Sequence, residues 1–464
     1  MVFSSLVFLW LFLPIVLGLY FLAQEKYRNL LLLLASLFFY AWGEPVYIAV
    51  MVFSIILNYC CGLKIKSEDG KTHQSALIIG IVLNLGLLGF FKYAGFILDN
   101  INYLTGLNIS YHQLPLPIGI SFYTFQSLSY LIDIYRGVCE PQKNIVKMGL
   151  FISFFPQLIA GPILKYYNLA EQIDHRVVSL AKFNEGAVRF IIGLGKKVII
   201  ANIMAKTADE VFALNITDMS TLEAWIGITA YTFQIYFDFS GYSDMAIGLG
   251  KMFGFQINEN FNYPYIASSI KDFWRRWHIS LSTWFKEYLY IPLGGNREGK
   301  YKTYRNLLIV FFMTGLWHGA SWNFVVWGMW HGLFIVLEKI IPIEKFLRWR
   351  PIQMVYTLLI VICGWVFFRA ETLSYAVDFL HRMFVPYKID EVTVLWNREF
   401  QIVLIAALLC CGIVSGLFKI IPLRESLKQK IIQLGTPLVC IFSAYLSLLM
   451  LANNTYNPFI YFRF

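Results

Sequence analysis

Long apolar runs separated by short polar stretches recur along the chain from Val2 to Ala452. A helix needs roughly 20 apolar residues to cross a hydrocarbon layer of about 30 Å. In lipid every backbone polar group must find its partner within the segment or an adjoining one, so these runs are predicted to be helices. The pattern predicts an all-α polytopic membrane protein, a bundle of roughly eleven spans with extra re-entrant elements. The opening run, Val2 to Ala23, has no basic stretch before it and no cleavage site after it, and is predicted as a retained first span. No repeat, low-complexity segment or linker divides the sequence, so residues 1–464 read as a single transmembrane domain.

Loop charge assigns sides. Lys26 and Arg28 follow the first run and Lys64, Lys66 and Lys71 the third, whereas the Gly43-Glu44-Pro45 turn between them has no cation. Cytoplasmic loops carry the excess of Lys and Arg, so the turn and the N-terminus are predicted outside. The stretch from Asp99 to Gln113, with no Lys or Arg, belongs outside as well, and a span from Leu114 to Tyr135 returns the chain to Arg136, Lys143 and Lys147. A span from Ala187 to Ala205 leads to the acidic loop Asp209 to Asp218, placed outside although Lys196 and Lys197 lie within the span. Leu222 to Gly250 comes back in to the most basic stretch, Lys271 to Arg305, with eight Lys or Arg against three Asp or Glu. Ile352 to Phe368 then goes out, Gln401 to Leu417 comes in, and Gly435 to Ala452 goes out, leaving the C-terminal tail outside.

Two runs break this alternation, because basic residues flank them on both sides. One is Asn144 to Leu164, where Pro156 and Pro162 predict a re-entrant segment. The other is Asn306 to Leu337, where Gly315, Gly319 and Gly328 allow a broken hairpin that dips into the membrane and returns.

Composition agrees with the membrane reading. Hydrophobic residues make up 58% and charged residues 14% of the chain, against about 25% charged in a soluble domain. The net charge of +10 sits in short loops, where topology accounts for it without nucleic acid. The seven cysteines have no zinc-site or disulfide spacing and read as packing residues. No phosphate-binding loop, dinucleotide fingerprint or His-Glu-x-x-His motif is present, so nucleotide hydrolysis and metal catalysis have no support.

Candidate chemistry centres on histidine. His318, in Trp317-His318-Gly319, lies 13 residues past Arg305, roughly 20 Å along a helix and therefore near the predicted midplane. An ionisable group there is costly and marks a functional site by default, the competing reading being a packing histidine bonded to a carbonyl. His278 ends the string Asp272-Phe273-Trp274-Arg275-Arg276-Trp277-His278. Interfacial anchoring explains its tryptophans and arginines but does not require the histidine. If this segment folds into the cytoplasmic mouth, His278 sits beneath His318, and Arg275, Arg276 and Lys286 can attract a phosphate-bearing donor. His331, in a second Trp-His-Gly at Trp330-His331-Gly332, reads as packing near Lys339. Asp238 and Asp244 read as hydrogen-bonding ties between helices that can also orient a histidine.

Three strings carry a resemblance: Asp238-Phe-Ser-Gly-Tyr-Ser-Asp-Met-Ala-Ile-Gly-Leu-Gly250, Asp272 through Arg297, and Thr314-Gly-Leu-Trp-His-Gly-Ala-Ser-Trp-Asn323. With Phe155-Pro-Gln-Leu-Ile-Ala-Gly-Pro162 and the N-terminal runs, the sequence resembles the membrane-bound O-acyltransferase (MBOAT) family, on the branch that O-acetylates exported polysaccharides. The resemblance implies a ring of tilted helices around a central tunnel, with a cytoplasmic funnel for an acyl donor and an opposite funnel for the acceptor. It implies that His318 is the principal catalytic residue and His278 a second active-site position. The donor it implies is a thioester such as acetyl-CoA. The acceptor is an extracytoplasmic alginate-, peptidoglycan- or cellulose-type polysaccharide, reached through a secreted or periplasmic SGNH-type acetyltransferase partner. The location it implies is the bacterial inner membrane. The aromatic ending Phe459-Ile460-Tyr461-Phe462-Arg463-Phe464 is similar to endings in the family, which makes Tyr461 a candidate acyl relay, against the alternative of an interfacial aromatic anchor. D-alanyl transfer to teichoic acid is a second enzyme reading, and a transporter or channel is the reading of another class.

Overall fold

The structure is a computed structural model that describes residues 1–66, 71–112, 114–388, 396–413, 425–453 and 456–460, apart from the side chains of 344, 345, 413, 425–429 and 432. Regular structure among the described residues is helical. These residues form two compact units, Met1–Phe190 with Met245–Asn258, and Ile191–Asp244 with Glu259–Phe464.

The first unit contains α1 (Leu13–Leu22), α2 (Glu25–Gly43), α3 (Ile48–Ile65), α4 (Gln74–Leu88), α5 (Ala94–Thr105), α6 (Ile120–Tyr135), α7 (Ile145–Ser153), α8 (Phe155–Leu158), α9 (Tyr166–Asp174) and most of α10 (Leu180–Gly195). Trp10, Leu34 and Phe90 stand open on its helices, an arrangement that suits lipid and would be an aggregation hazard in water. Within it, Asn58 and Asn84 are buried and exchange side-chain hydrogen bonds of 3.2 and 2.8 Å between α3 and α4. The expected span from Leu114 becomes a shorter helix starting at Ile120. Pro115 and Pro117 remove backbone donors, and Gly119 turns with φ 76°, where a side chain would also press on the Leu158 carbonyl oxygen at 2.7 Å. The run from Asn144 is broken, as its prolines imply. Asn144 caps α7 through the amides of Val146 and Lys147, the helix stops at Ser153, and every residue from Met148 to Tyr166 is buried.

In the second unit, α10 continues through a π-bulge at Lys196–Ala201 into α11 (Asn202–Phe212). There follow α12 (Thr221–Met252), α13 (Ile270–Arg276), α14 (Ile279–Phe285), α15 (Lys300–His318), α16 (Trp322–Ile340), α17 (Ile343–Phe346), α18 (Arg350–Arg369), α19 (Leu373–Phe384), α20 (Arg398–Leu408) and α21 (Glu425–Asn453). Four stretches of helix among the described residues are long and apolar enough to cross a membrane by length and composition: Ile48–Ile65, Gln74–Thr105, Arg350–Arg369 and Gln433–Asn453.

The run containing His318 is an antiparallel helical hairpin. Its arms, α15 and α16, have 19 residues each, about 28 Å at 1.5 Å per residue. The broken hairpin expected from the glycines is present, with its break at Gly319–Ser321 between the two arms. Glycine sets their spacing: a Cβ on Gly315 would collide with the Phe324 carbonyl oxygen, and one on Gly328 with that of Phe311. Folding back brings Lys300, Lys302 and Arg305 at the start of α15 to the same end as Lys339 on α16. That removes the conflict in loop charge, because both basic flanks then lie on one side.

Candidate active site

His318 is the last residue of α15, at the turn of the hairpin, and only 2% of its surface is exposed. Gly319 follows in an extended conformation, and a side chain there would overlap the Phe324 ring. The imidazole of His318 is walled by aromatic rings, with centroids of Trp317 and Trp327 at 4.9 Å and Phe368 at 5.2 Å.

His278 reaches the same place from a different element. It links α13 to α14 with φ 45° and ψ 54°, the left-handed region that non-glycine residues seldom occupy. Such a conformation costs on the order of 1–3 kcal/mol and persists where surrounding contacts impose it. Asn260 supplies those contacts. Its backbone carbonyl accepts from the Ile279 amide at 3.0 Å, and its Oδ1 accepts from the Ser280 amide at 3.1 Å and the Ser280 hydroxyl at 2.9 Å. The same Oδ1 stands 3.3 Å from Nδ1 of His278, and the Asn260 amide donates to Ser243 at 3.3 Å. An Nδ1–H donating to that oxygen leaves Nε2 as the basic nitrogen. The fully buried His278 ring lies with its centroid 6.4 Å from that of His318 and 5.9 Å from that of Trp317.

A cavity of about 280 Å³ lies among α13, α14 and the two arms of the hairpin, and neither His278 nor His318 is among its lining residues. Lys271, Arg275, Lys286 and Lys339 surround it, while Trp274, Phe311 and Thr314 contribute its apolar lining. Thr314 precedes His318 by one helical turn and so shares its face of α15. The sequence-predicted cations divide here: Arg275 and Lys286 line the cavity, whereas Arg276 is paired with Asp272 at 3.0 Å and donates to the Asn262 carbonyl at 3.2 Å. Glu338 on α16 accepts from the amides of Ile270 and Lys271 at 2.7 and 3.1 Å, fixing the N-terminus of α13 against the hairpin.

A second cavity, about 380 Å³, is lined by Gln234, Ser321, Phe324, Phe368, Arg369 and Glu371 together with Pro458, Phe459 and Ile460. Phe368, which packs on His318, forms part of its wall. Tyr461 lies outside the described residues.

The remaining candidates make contacts away from both cavities' cations and from the histidine pair. His331 is fully buried among Phe273, Trp274, Trp327 and Trp365, at centroid distances of 5.3 to 6.4 Å. Asp244 pairs with Lys196 and Asp238 with Lys197, each at 2.6 Å. The two lysines that sat awkwardly inside a predicted span are thus matched by the carboxylates of α12. Sequence reading missed Asn260, one of three asparagines in Asn258-Glu259-Asn260-Phe261-Asn262, where no spacing singles it out. It also missed Lys271 and Lys339, which reach the cavity from different helices.

The family model for the membrane-bound O-acyltransferases matches residues 142–367, a stretch that contains both histidines and the hairpin. Over 383 residues the chain is 50% identical to an Azotobacter vinelandii protein named "Probable alginate O-acetylase AlgI", covering 81% of this chain and 76% of the relative. It is 43% identical to the Pseudomonas putida protein of the same name over the whole of both chains. A "Peptidoglycan O-acetyltransferase" of Helicobacter pylori is 39% identical, with 82% of this chain and 80% of that one covered. The chain belongs to the membrane-bound O-acyltransferase family and is a membrane O-acyltransferase.

Proposed function

We propose that this enzyme takes an acetyl group from a cytoplasmic thioester, acetyl-CoA, and delivers it for O-acetylation of an extracytoplasmic polysaccharide of the alginate, peptidoglycan or cellulose type. The observation that carries the reading is the buried His278–His318 pair, with centroids 6.4 Å apart, Thr314 of the cationic cavity one helical turn before His318, and Phe368 of the second cavity packed on the His318 ring. A polyanionic thioester cannot enter hydrocarbon, so only its acyl end need approach the histidines while its phosphates stay among the cations. His318 acts as general base and then as acid. It takes the proton from the acceptor hydroxyl as that oxygen attacks the thioester carbonyl, and collapse of the adduct expels the thiolate, which collects the proton from the imidazolium.

Tyr461 is the proposed relay, supported by the position of Pro458–Ile460 on the wall of the second cavity. Its phenolic oxygen receives the acetyl group, and a secreted or periplasmic SGNH-type partner passes it to the glycan. The termini are proposed to be extracytoplasmic and the membrane to be the bacterial inner membrane. A D-alanyl donor with teichoic acid as acceptor is the competing substrate pair.

The deciding experiment uses the purified enzyme in vesicles, with its partner, labelled acetyl-CoA and each candidate glycan in turn. Acetylated glycan, together with an acetyl adduct on the C-terminal peptide that disappears in Tyr461→Phe, is the expected result. Transfer from a D-alanyl thioester alone would overturn the acetyl reading.

Donor binding has its own prediction. Arg275→Gln and Lys286→Gln should each raise KM for acetyl-CoA by about 10-fold, the scale of one charge-assisted hydrogen bond, with kcat little changed. Arg276→Gln, whose guanidinium is held by Asp272, should change KM less. For Asn260→Ala the expectation is the reverse: kcat falls by up to about 10²-fold as His278 loses its orientation, while donor KM holds.

A further inference from the structure

The end of the described chain rests on charge buried inside the second unit. Lys197 and Asp238 form an ion pair at 2.6 Å, with 3% and 1% of their side chains exposed. Asp238 Oδ2 accepts the backbone N–H of Ile460 at 2.8 Å, and the Lys197 ammonium donates to the backbone carbonyl of Pro458 and to Asn202 Oδ1, the latter at 2.9 Å. Asn202 in turn donates to Asn457 Oδ1 at 3.2 Å. Phe459, between the two clamped backbone groups, packs on Tyr242 at 4.8 Å and beneath the Lys197 ammonium. Further up the tail, the Tyr456 hydroxyl donates to Asp209 at 2.6 Å, and Asp209 is paired with Arg369 at 2.7 Å.

A buried ion pair is a poor source of stability, because desolvation offsets most of its attraction. Here the pair's hydrogen-bonding capacity goes to backbone groups more than 200 positions away in sequence, 222 for Asp238 to Ile460 and 261 for Lys197 to Pro458. Its position is also engineered for close approach: Gly241, one turn from Asp238, lets α12 sit on the backbone of Gly193 and Lys197, where a Cβ would fall 2.8 and 3.1 Å from their atoms.

We propose that Lys197 and Asp238 form a clamp for the backbone of the tail, whose function is to hold residues 457–460 at the wall of the second cavity, beside the Phe368 ring that packs on His318. The pair contacts no reacting atom in this scheme and is a positioning device. It reads main-chain groups, so side chains in the clamped segment can change while Pro458 carbonyl and Ile460 amide stay in register. The purpose rests on the Tyr461 relay reading, but the clamp itself can be tested without it.

Breaking only one partner would strand a buried charge and risk misfolding, so the informative variant is Lys197→Met/Asp238→Leu, which replaces both with apolar groups of similar size. Ile460→Cys, placed in the wild-type and double-variant backgrounds, is exposed to a water-soluble maleimide in the folded, detergent-solubilised enzyme, and labelling is read by mass spectrometry of the C-terminal peptide. Ile460 is buried in the clamped state, so labelling should be at least ten times faster in the double variant. Equal rates in two folded proteins would overturn the clamp. The relay is read separately in the same peptide, without the cysteine, as acetyl on Tyr461. Faster labelling in the variant with no acetyl on the wild-type peptide would retain the clamp and reject the relay.

Discussion

His318→Gln is expected to lower acyl transfer by about 10²- to 10⁴-fold, the range for removing a general acid–base group, with the protein still present in the membrane at wild-type level. Glutamine is preferred to alanine for this test. The ring of His318 fills a space between Trp317, Trp327 and Phe368, and truncating a buried side chain of this size to alanine would add a cavity cost of a few kcal/mol to any catalytic effect. His331→Phe supplies the contrast. His331 sits in an aromatic cage, and its ring nitrogens have no hydrogen-bond partner among the described residues. Phenylalanine keeps the packing and should leave transfer within a few-fold of wild type. Labelled acetyl transfer in vesicles measures both, and wild-type turnover by His318→Gln would refute the proposed role.

Gly328→Ala should lower the thermal stability of the detergent-solubilised protein and its activity together. Its Cβ would lodge against the Phe311 carbonyl oxygen and stand 3.0 Å from the backbone nitrogen and Cα of Gly315. Neither obstacle is a flexible side-chain end, so the arms of the hairpin must separate, and overpacking of this kind costs about 1–3 kcal/mol. The damage reaches the site because His318 stands at the end of one arm and Trp327, adjacent to Gly328, walls its ring from the other. Gly86→Ala on α4 is the control. Nothing lies within 4 Å of a Cβ there, and alanine favours a helix interior over glycine by roughly 0.5–1 kcal/mol. A Gly328→Ala protein as stable as wild type would refute the glycine-set spacing.

The two runs that violated charge alternation show how far one-dimensional reading reaches. Basic residues on both sides of Asn306–Leu337 required the chain to return to the side it left, and the glycines within it marked where two helices approach. Glycine spacing reports where the arms pack closely, and the 19-residue length of each arm follows from the apolar run itself. In the same way, Pro156 announced the break after α7, and Pro115 and Pro117 were equally visible reasons for the helix to begin only at Ile120.

Sequence by itself determined the solvent and the elements: apolar runs of spanning length, cations gathered in loops, and two histidines in strings specific enough to carry the family resemblance. Those are properties of neighbouring residues along the chain. What only the tertiary structure decided is which distant groups meet. Asn260 was indistinguishable from its neighbours until its oxygen appeared beside His278, Lys271 and Lys339 joined Arg275 and Lys286 only through the packing of α13 on the hairpin, and Lys197 found Asp238 and the tail across two helices. The physical reason is that burial and hydrogen bonding are satisfied in space, with each buried polar group taking whichever partner the packed helices bring to it.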